Sequence, residues 1–469
     1  MGEDLRSSPR QRAAEIIARK LPYARGHHRD KLLGGRRIEE WFSGEYPDIE
    51  GLLNALAESP YVDTAAPESS RLVSDLVSAR GPMFRVFTEE EIGVLVEWIR
   101  TLRSTGDPVP RGNVESQAPD RRGDDTGPPW PGMGVGELES TSASPAQGAR
   151  SPRLDKRLLY HQLANVERYP ESVRTAKHYV ERCLARVRRA MWLSRLYPEI
   201  RSFEYSRAAF EHRIEASYRE AVDGYRPFIP PPRLSREEYL WLFVQLAPLI
   251  LVDGCWLRNV GWLYARHPRI AAGLVKIYAD EVGGGDPDAS HAAIFRELLR
   301  SEGIDLPEVS SDEFIRYGNF TSAVFELPLY LLSISQYPRT YLPELLGLNL
   351  AIELSGLGAF YMGLVDELSY WRIDARIISV HIASDNLASG HAALAKAAIV
   401  AYLDELGAGY GEREVQRHWQ RVWRGYISLR VVAAKAWFDL LIRFVSRFGL
   451  KRLQRRWVTQ GNRAHRAAG

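Results

Sequence analysis

His381-Ile-Ala-Ser-Asp385-Asn-Leu-Ala-Ser-Gly-His391 lies inside a run, residues 372–406, whose other positions read as one buried helix. Two imidazoles and a carboxylate set among Ile, Ala and Leu are costly to bury unless something pairs with them. A transition metal is the partner that would use all three at once. On an ideal helix His381 and Asp385 share a face, whereas His391 is about 240° from Asp385. Bringing all three together requires a π-bulge or local unwinding near Ser389-Gly390. Asp385 is therefore the surest ligand of this stretch, with His381 and His391 unranked.

Outward from this stretch the pattern stays helical. Tyr160, Leu163 and Val166, then Ala176, Tyr179, Val180, Cys183, Leu184 and Val187 recur at helical spacing among arginines. Four prolines between Pro227 and Pro232 stop the chain, and Ser235-Arg-Glu-Glu238 is a capping box for the next helix. Further helices are expected around 268–281, 290–302, 311–335, 340–364, 372–406 and 411–450. No alternating strand pattern is present. The fold class is all-α.

Residues 105–153 are rich in Pro, Gly, Ser and Asp and lack apolar periodicity, which predicts a disordered linker. Residues 1–104 then form a small helical N-terminal region, 154–450 the main helical domain and 451–469 a basic tail. Thr88 caps an acidic first turn in the last N-terminal segment. With Ser69-Ser-Arg-Leu-Val and Gly81-Pro-Met, that segment resembles the distal half of a small cytochrome c. Cys-x-x-Cys-His is absent, so no haem role follows, and a helical add-on is the plainer reading.

The 469 residues are enough for two or three domains. A net charge of +3, from 62 basic and 59 acidic side chains, gives no reason to expect nucleic acid. Cys183 and Cys255 cannot make a disulfide framework or a Cys-x-x-Cys zinc site. No secretory h-region opens the chain. The longest apolar run, Trp241–Val252, is too short to span a bilayer. A cytoplasmic location is the default expectation, with no transmembrane segment.

Other acids also stand in apolar surroundings. Asp253 sits in Leu249-Ile-Leu-Val-Asp-Gly-Cys-Trp-Leu257, and Glu353 is the lone charge in a buried-looking helix from Leu345 to Gly358. Each alone is more often a surface-edge or arginine-paired acid than a ligand. Glu281 and His291 are ten residues apart, separated by Gly283-Gly-Gly-Asp-Pro287. On a continuous helix they would point about 80° apart. The glycine run breaks the helix and could fold His291 back on Glu281. It could equally be a plain C-cap, with Asp288 or Ser290 capping the next helix. None of the 11 histidines has Glu three residues earlier, which disfavours a ferritin-like site.

Glu281-x-Gly-x-Gly with His291, Glu353 in its Gly-rich helix, and His381-x-x-x-Asp385-Asn with Gly390-His391 resemble the iron-containing redox enzymes. These belong to the heme-oxygenase-like diiron oxidase and oxygenase superfamily. The resemblance covers roughly 155–435, with Asp253-Gly-Cys-Trp-Leu257 and Trp419-x-x-x-Trp423-x-Gly-Tyr426 among its motifs. It implies a heme-oxygenase-like bundle of about seven core helices. It also implies two non-haem irons, labile in this superfamily, held by Asp253, Glu281, His291, Glu353, His381, Asp385 and His391. About six ligands are usual for two irons, so one of those seven would stand behind the others rather than on a metal. The first-helix acid is Asp where Glu is usual, and its shorter reach would loosen one metal site.

The implied activity is O₂ activation to oxidise a small organic substrate, by N-oxygenation, desaturation or C–C cleavage, in specialised metabolism. An electron donor is implied, and a homodimer is one open arrangement. Tyr278, Trp256, Tyr361 and Trp371 are candidate pocket-lining aromatics, though such residues are more often core.

Two other readings compete. In a metal-free helical binding or scaffold protein, Asp253, Glu353 and Asp385 would pair with Arg258, Arg372 and Arg376. In the other, residues 437–457, with an apolar stripe and six basic residues, attach the protein to a membrane surface. A final bundle helix with a solvated basic end is the plainer reading of that stretch.

Overall fold

Short polar side chains start the helices where the spacing predicts. Thr88 Oγ1 accepts the Glu91 N–H at 3.1 Å and a Glu91 carboxylate oxygen accepts the Thr88 N–H at 2.9 Å. Ser235 and Glu238 form the same reciprocal cap. Asp155, Ser290 and Ser311 each accept an N–H from the turn they open.

The structure is a computed structural model. It describes residues 8–24, 31–42, 47–77, 83, 86–102, 154–193, 201–226, 228–356, 358–384 and 390–467. The expected linker at 105–153 and the candidate ligand Asp385 lie outside the described residues.

Before residue 103 the elements are α1 (Pro9–Ala24), a hairpin of β1 (Leu32–Leu33) and β2 (Arg36–Arg37), α2 (Ile38–Phe42), α3 (Ile49–Ala57) and α4 (Glu89–Leu102). The hairpin was not expected, because strands of two residues are too short to show alternation. Ala13, Leu53, Leu95, Trp98 and Ile99 form a core among these helices.

From residue 154 the chain forms α5 (Lys156–Ala164), α6 (Ser172–Trp192), α7 (Arg207–Asp223), α8 (Arg236–Ile250), α9 (Pro268–Glu281), α10 (His291–Ser301) and α11 (Asp312–Arg316). It continues through α12 (Glu326–Ile334), α13 (Leu342–Ser355), α14 (Ala359–Tyr370), α15 (Arg376–Ser384), α16 (His391–Tyr410) and α17 (Glu412–Ala467). Between residues 154 and 467 the described residues form no strand, so the all-α expectation holds.

α13 is buried almost all round, as expected of a helix without a polar face. It packs most closely on α17 and also meets α16, while α16 packs on α9. Two glycines set the α13–α17 distance. A Cβ on Gly347 would stand 1.8 Å from the Val422 carbonyl oxygen, and one on Gly425 would stand 2.0 Å from that of Glu344. Beside this crossing, Arg421 closes on the buried Glu344 carboxylate at 2.7 and 2.9 Å, and Arg424 pairs with it too.

Three expected helices are broken. The 311–335 segment splits into α11 and α12 around a loop held by the buried Gln245 amide. Its Nε2 donates to Asn319 O at 2.7 Å, and its Oε1 accepts from Thr321 N at 3.0 Å. The 340–364 segment splits before Gly358, whose φ of +100° and close approach to Ala221 suit only glycine. The 372–406 segment is interrupted at Gly390, whose backbone is extended, so it is not one continuous helix.

The helix expected to end at 450 continues to Ala467. Along it Trp437, Phe438, Leu441, Ile442 and Val445 are exposed, while Leu440, Phe444 and Phe448 are buried.

The apolar run around Trp241 is longer than the twelve residues counted in sequence. α8 continues through tight turns to Leu263, and Arg236–Leu263 is long and apolar enough to cross a membrane by length and composition. In this fold 56% of its apolar 18-residue window is buried.

Candidate metal centre

The α8 chain unwinds at its end, and Gly254 takes a left-handed φ of +75°. A Cβ there would stand 2.8 Å from the Glu281 Cβ, so glycine lets Glu281 of α9 approach the turn that carries Asp253. After Glu281, Gly283, Gly284 and Gly285 all have positive φ and reverse the chain. A Cβ on Gly283 would lie 2.0 Å from the Asp286 carbonyl oxygen. Asp286 caps a short 3₁₀ turn and Ser290 caps α10, so His291 becomes the first residue of α10. The loop is both a capped helix junction, as one reading had it, and the fold-back, as the other had it. His291 Nδ1 lies 2.6 Å from Glu281 Oε2 and 3.1 Å from Asp253 Oδ2.

α15 brings His381 to the same place. Its Nδ1–H donates to the Ile377 carbonyl at 2.6 Å, which turns Nε2 toward Asp253 Oδ2 at 3.4 Å. The break before α16 sends His391 the other way. Its Nδ1 lies 3.4 Å from both Glu281 Oε1 and Glu353 Oε2.

Two groups of ligand-type atoms result, each with all members within 4.8 Å of one another: Asp253, Glu281, His291 and His381, and Glu281, Glu353 and His391. Glu281 belongs to both. Six of the seven candidate residues are thus gathered in one place, and the seventh, Asp385, lies outside the described residues. Of the unwinding expected near Ser389-Gly390, the described residue Gly390 shows it, with an extended backbone (ψ −163°).

Glu281, His291, Glu353 and His391 are at most 3% exposed. Burial by itself would raise the Glu281 pKa, but the charge and hydrogen bonds of His291 with those of His391 hold it well below the usual carboxylate range. Asp253 is also lowered. Burial and the Glu281 charge oppose this, and hydrogen bonds from His291 and His381 outweigh them. His291 moves the other way. Burial would lower it, and the charges of Glu281 and Asp253 raise it well above the ordinary value.

Without a cation, carboxylates this deeply buried are neutralised only by protonated imidazoles. Three carboxylates and three imidazoles with oxygen and nitrogen atoms converging at such spacing are a donor set suited to a first-row transition metal. Glu281 Oε2 is buried without a hydrogen bond of good geometry, which also fits a metal-facing oxygen.

Residues 240–426 match the iron-containing redox enzyme family. A search of curated proteins found no match. The matched segment includes all seven candidate residues and marks an oxidoreductase domain of the all-α, heme-oxygenase-like class.

One contributor was not anticipated. Asp280 Oδ2 accepts from His391 Nε2–H at 3.1 Å, the carboxylate–histidine arrangement that orients a metal-binding imidazole. In the sequence the only hint is its place beside Glu281. Helical phase turns the two residues about 100° apart, so adjacency alone carried no signal.

A cavity of about 310 Å³ lies against the Asp253 side of the centre, lined in part by Val252, Arg258, Tyr278, Val282 and Leu332. Of the candidate aromatics, Tyr278 lines it. Trp256 is buried and donates to Asn349 at 2.8 Å, and Trp371 donates to Leu234 O at 2.9 Å. Tyr361 stands beside His381, with ring centroids 6.3 Å apart.

The arginine pairing expected of a metal-free scaffold is not what the described ion pairs show. Arg376 pairs with Asp374 and Glu297, while Asp253 faces His291 and His381.

Proposed function

We propose that this protein is a non-haem diiron oxidase or oxygenase that uses O₂ to oxidise a small organic substrate. The observation that carries the reading is the pair of ligand groups sharing the buried Glu281. Asp253, Glu281, His291 and His381 would hold one iron. Glu281, Glu353 and His391 would hold the other, and Asp385, outside the described residues, is proposed as a further ligand from the sequence alone. When bound, two ferrous ions supply the electrons that reduce O₂.

The chain's own residues do the rest. Asp280 and the Ile377 carbonyl fix which nitrogen His391 and His381 present. Burial around Glu281 and Glu353 excludes bulk water and so protects an oxidising centre from side reactions. The cavity beside Asp253 offers the substrate a place next to one metal position. N-oxygenation, desaturation and C–C cleavage are all open to such a centre, and the pocket selects among them.

Anaerobic Fe(II) titration followed by exposure to O₂ tests the proposal. Two irons per chain by elemental analysis, and a transient optical band on mixing with O₂, are expected. Failure to bind two irons would leave the protein a helical scaffold.

A further inference from the structure

The cavity beside Asp253 contains a cation with no counter-charge. Arg258 lines it and is half-buried. Among the described residues the Arg258 guanidinium has no hydrogen bond or ion pair, although a half-buried guanidinium ordinarily finds one. The two acids that share the cavity are engaged elsewhere. Asp253 faces His291 and His381, and Glu308 pairs with Arg296 at 3.2 Å. The other lining groups are neutral, with Val252, Val282 and Leu332 supplying an apolar wall.

The left-handed turn at Gly254 and the 3₁₀ segment Cys255–Leu257 set Arg258 one turn on from Asp253, so one cavity touches both. We propose that Arg258 binds the carboxylate of a small organic-acid substrate. The apolar part of that acid lies along Val252, Val282 and Leu332, next to the metal centre. The proposal rests on the reading of this cavity as the substrate space of the redox centre.

The chemistry favours a carboxylate over other anions. A planar guanidinium matches a carboxylate with two parallel hydrogen bonds. A phosphate would bring a second charge for which the cavity has no second free cation, and it would face Asp253 and Glu308. An amine would be repelled by Arg258. The volume of about 310 Å³ is at the small end for ligand pockets, which suits a small acid.

Calorimetric titration of the full-length protein tests this, using straight-chain, aryl and amino acids of three to ten carbons, each against its primary amide. At least one acid is expected to bind about tenfold or more tightly than its amide. Arg258→Met should erase that preference, and Arg258→Lys should keep part of it. Arg258→Met should still take up iron in the wild-type ratio.

The proposal is overturned if no acid outbinds its amide, if Arg258→Met keeps the preference, or if that variant is folded but loses iron. A wild-type protein that takes up no iron yet still discriminates acids through Arg258 would sink the diiron reading and leave this one standing.

Discussion

At the residue scale the centre turns on Glu281, the one side chain common to both ligand groups. Glu281→Ala is expected to abolish iron binding altogether, whereas His381→Ala and Glu353→Ala should each cost about one of two irons. Elemental analysis after anaerobic loading and gel filtration reads the difference, and equal losses in all three would count against a shared carboxylate. Asp280→Asn should leave the fold intact and weaken iron binding by about tenfold to a hundredfold, because a neutral amide accepts the His391 N–H less strongly. Competition with a coloured chelator measures that loss. The histidine stretch, the lone acids Asp253 and Glu353, and Glu281 with His291 stood out in the sequence, and the six described residues among them converge. Asp280 did not stand out, since it reaches the centre through His391 across 111 residues of chain, a relation no local spacing encodes.

At the element scale, the approach of α13 and α17 depends on two glycines that look alike in sequence to several unconstrained ones. Gly347→Ala would drive a methyl into the Val422 carbonyl, and the helices would have to part, moving the helix that carries Glu353. The expected cost is about 1–3 kcal/mol, or several degrees in Tm. Gly409→Ala, in the last turn of α16 with nothing within 4 Å, should be neutral or stabilise by up to about 1 kcal/mol. Thermal unfolding of the two variants side by side checks the contrast. An unchanged Tm in Gly347→Ala would mean the crossing is looser than described. Apolar periodicity made the helices legible, and capping residues made their starts legible. The break at Gly358 was not, because it is set by close approach to α7 rather than by the local pattern, whereas the one at Gly390 was expected only if His381, Asp385 and His391 were to meet.

At the scale of the whole molecule, the all-α class was readable from period alone, but not how distant helices are tied together. Glu326 shows one such tie. It opens α12, is 2% exposed, and pairs with Lys156 of α5 and with Arg186 of α6 at 2.8 Å. The Tyr179 hydroxyl of α6 also donates to its carbonyl at 3.1 Å. Burial would raise the Glu326 pKa, and the hydrogen bonds and charges of Lys156 and Arg186 outweigh it and lower it below 4.5. A carboxylate whose folded pKa is depressed stabilises the fold fully above its unfolded pKa, and that contribution fades as pH falls through the folded value. Glu326→Gln should therefore be less stable than the wild type at pH 7, and the gap should narrow as pH drops below about 4.5. Urea unfolding of both metal-free proteins at pH 7, 5 and 4 measures it. A gap that stays constant with pH would show that the three helices are held by packing, with the ion cluster contributing nothing of its own.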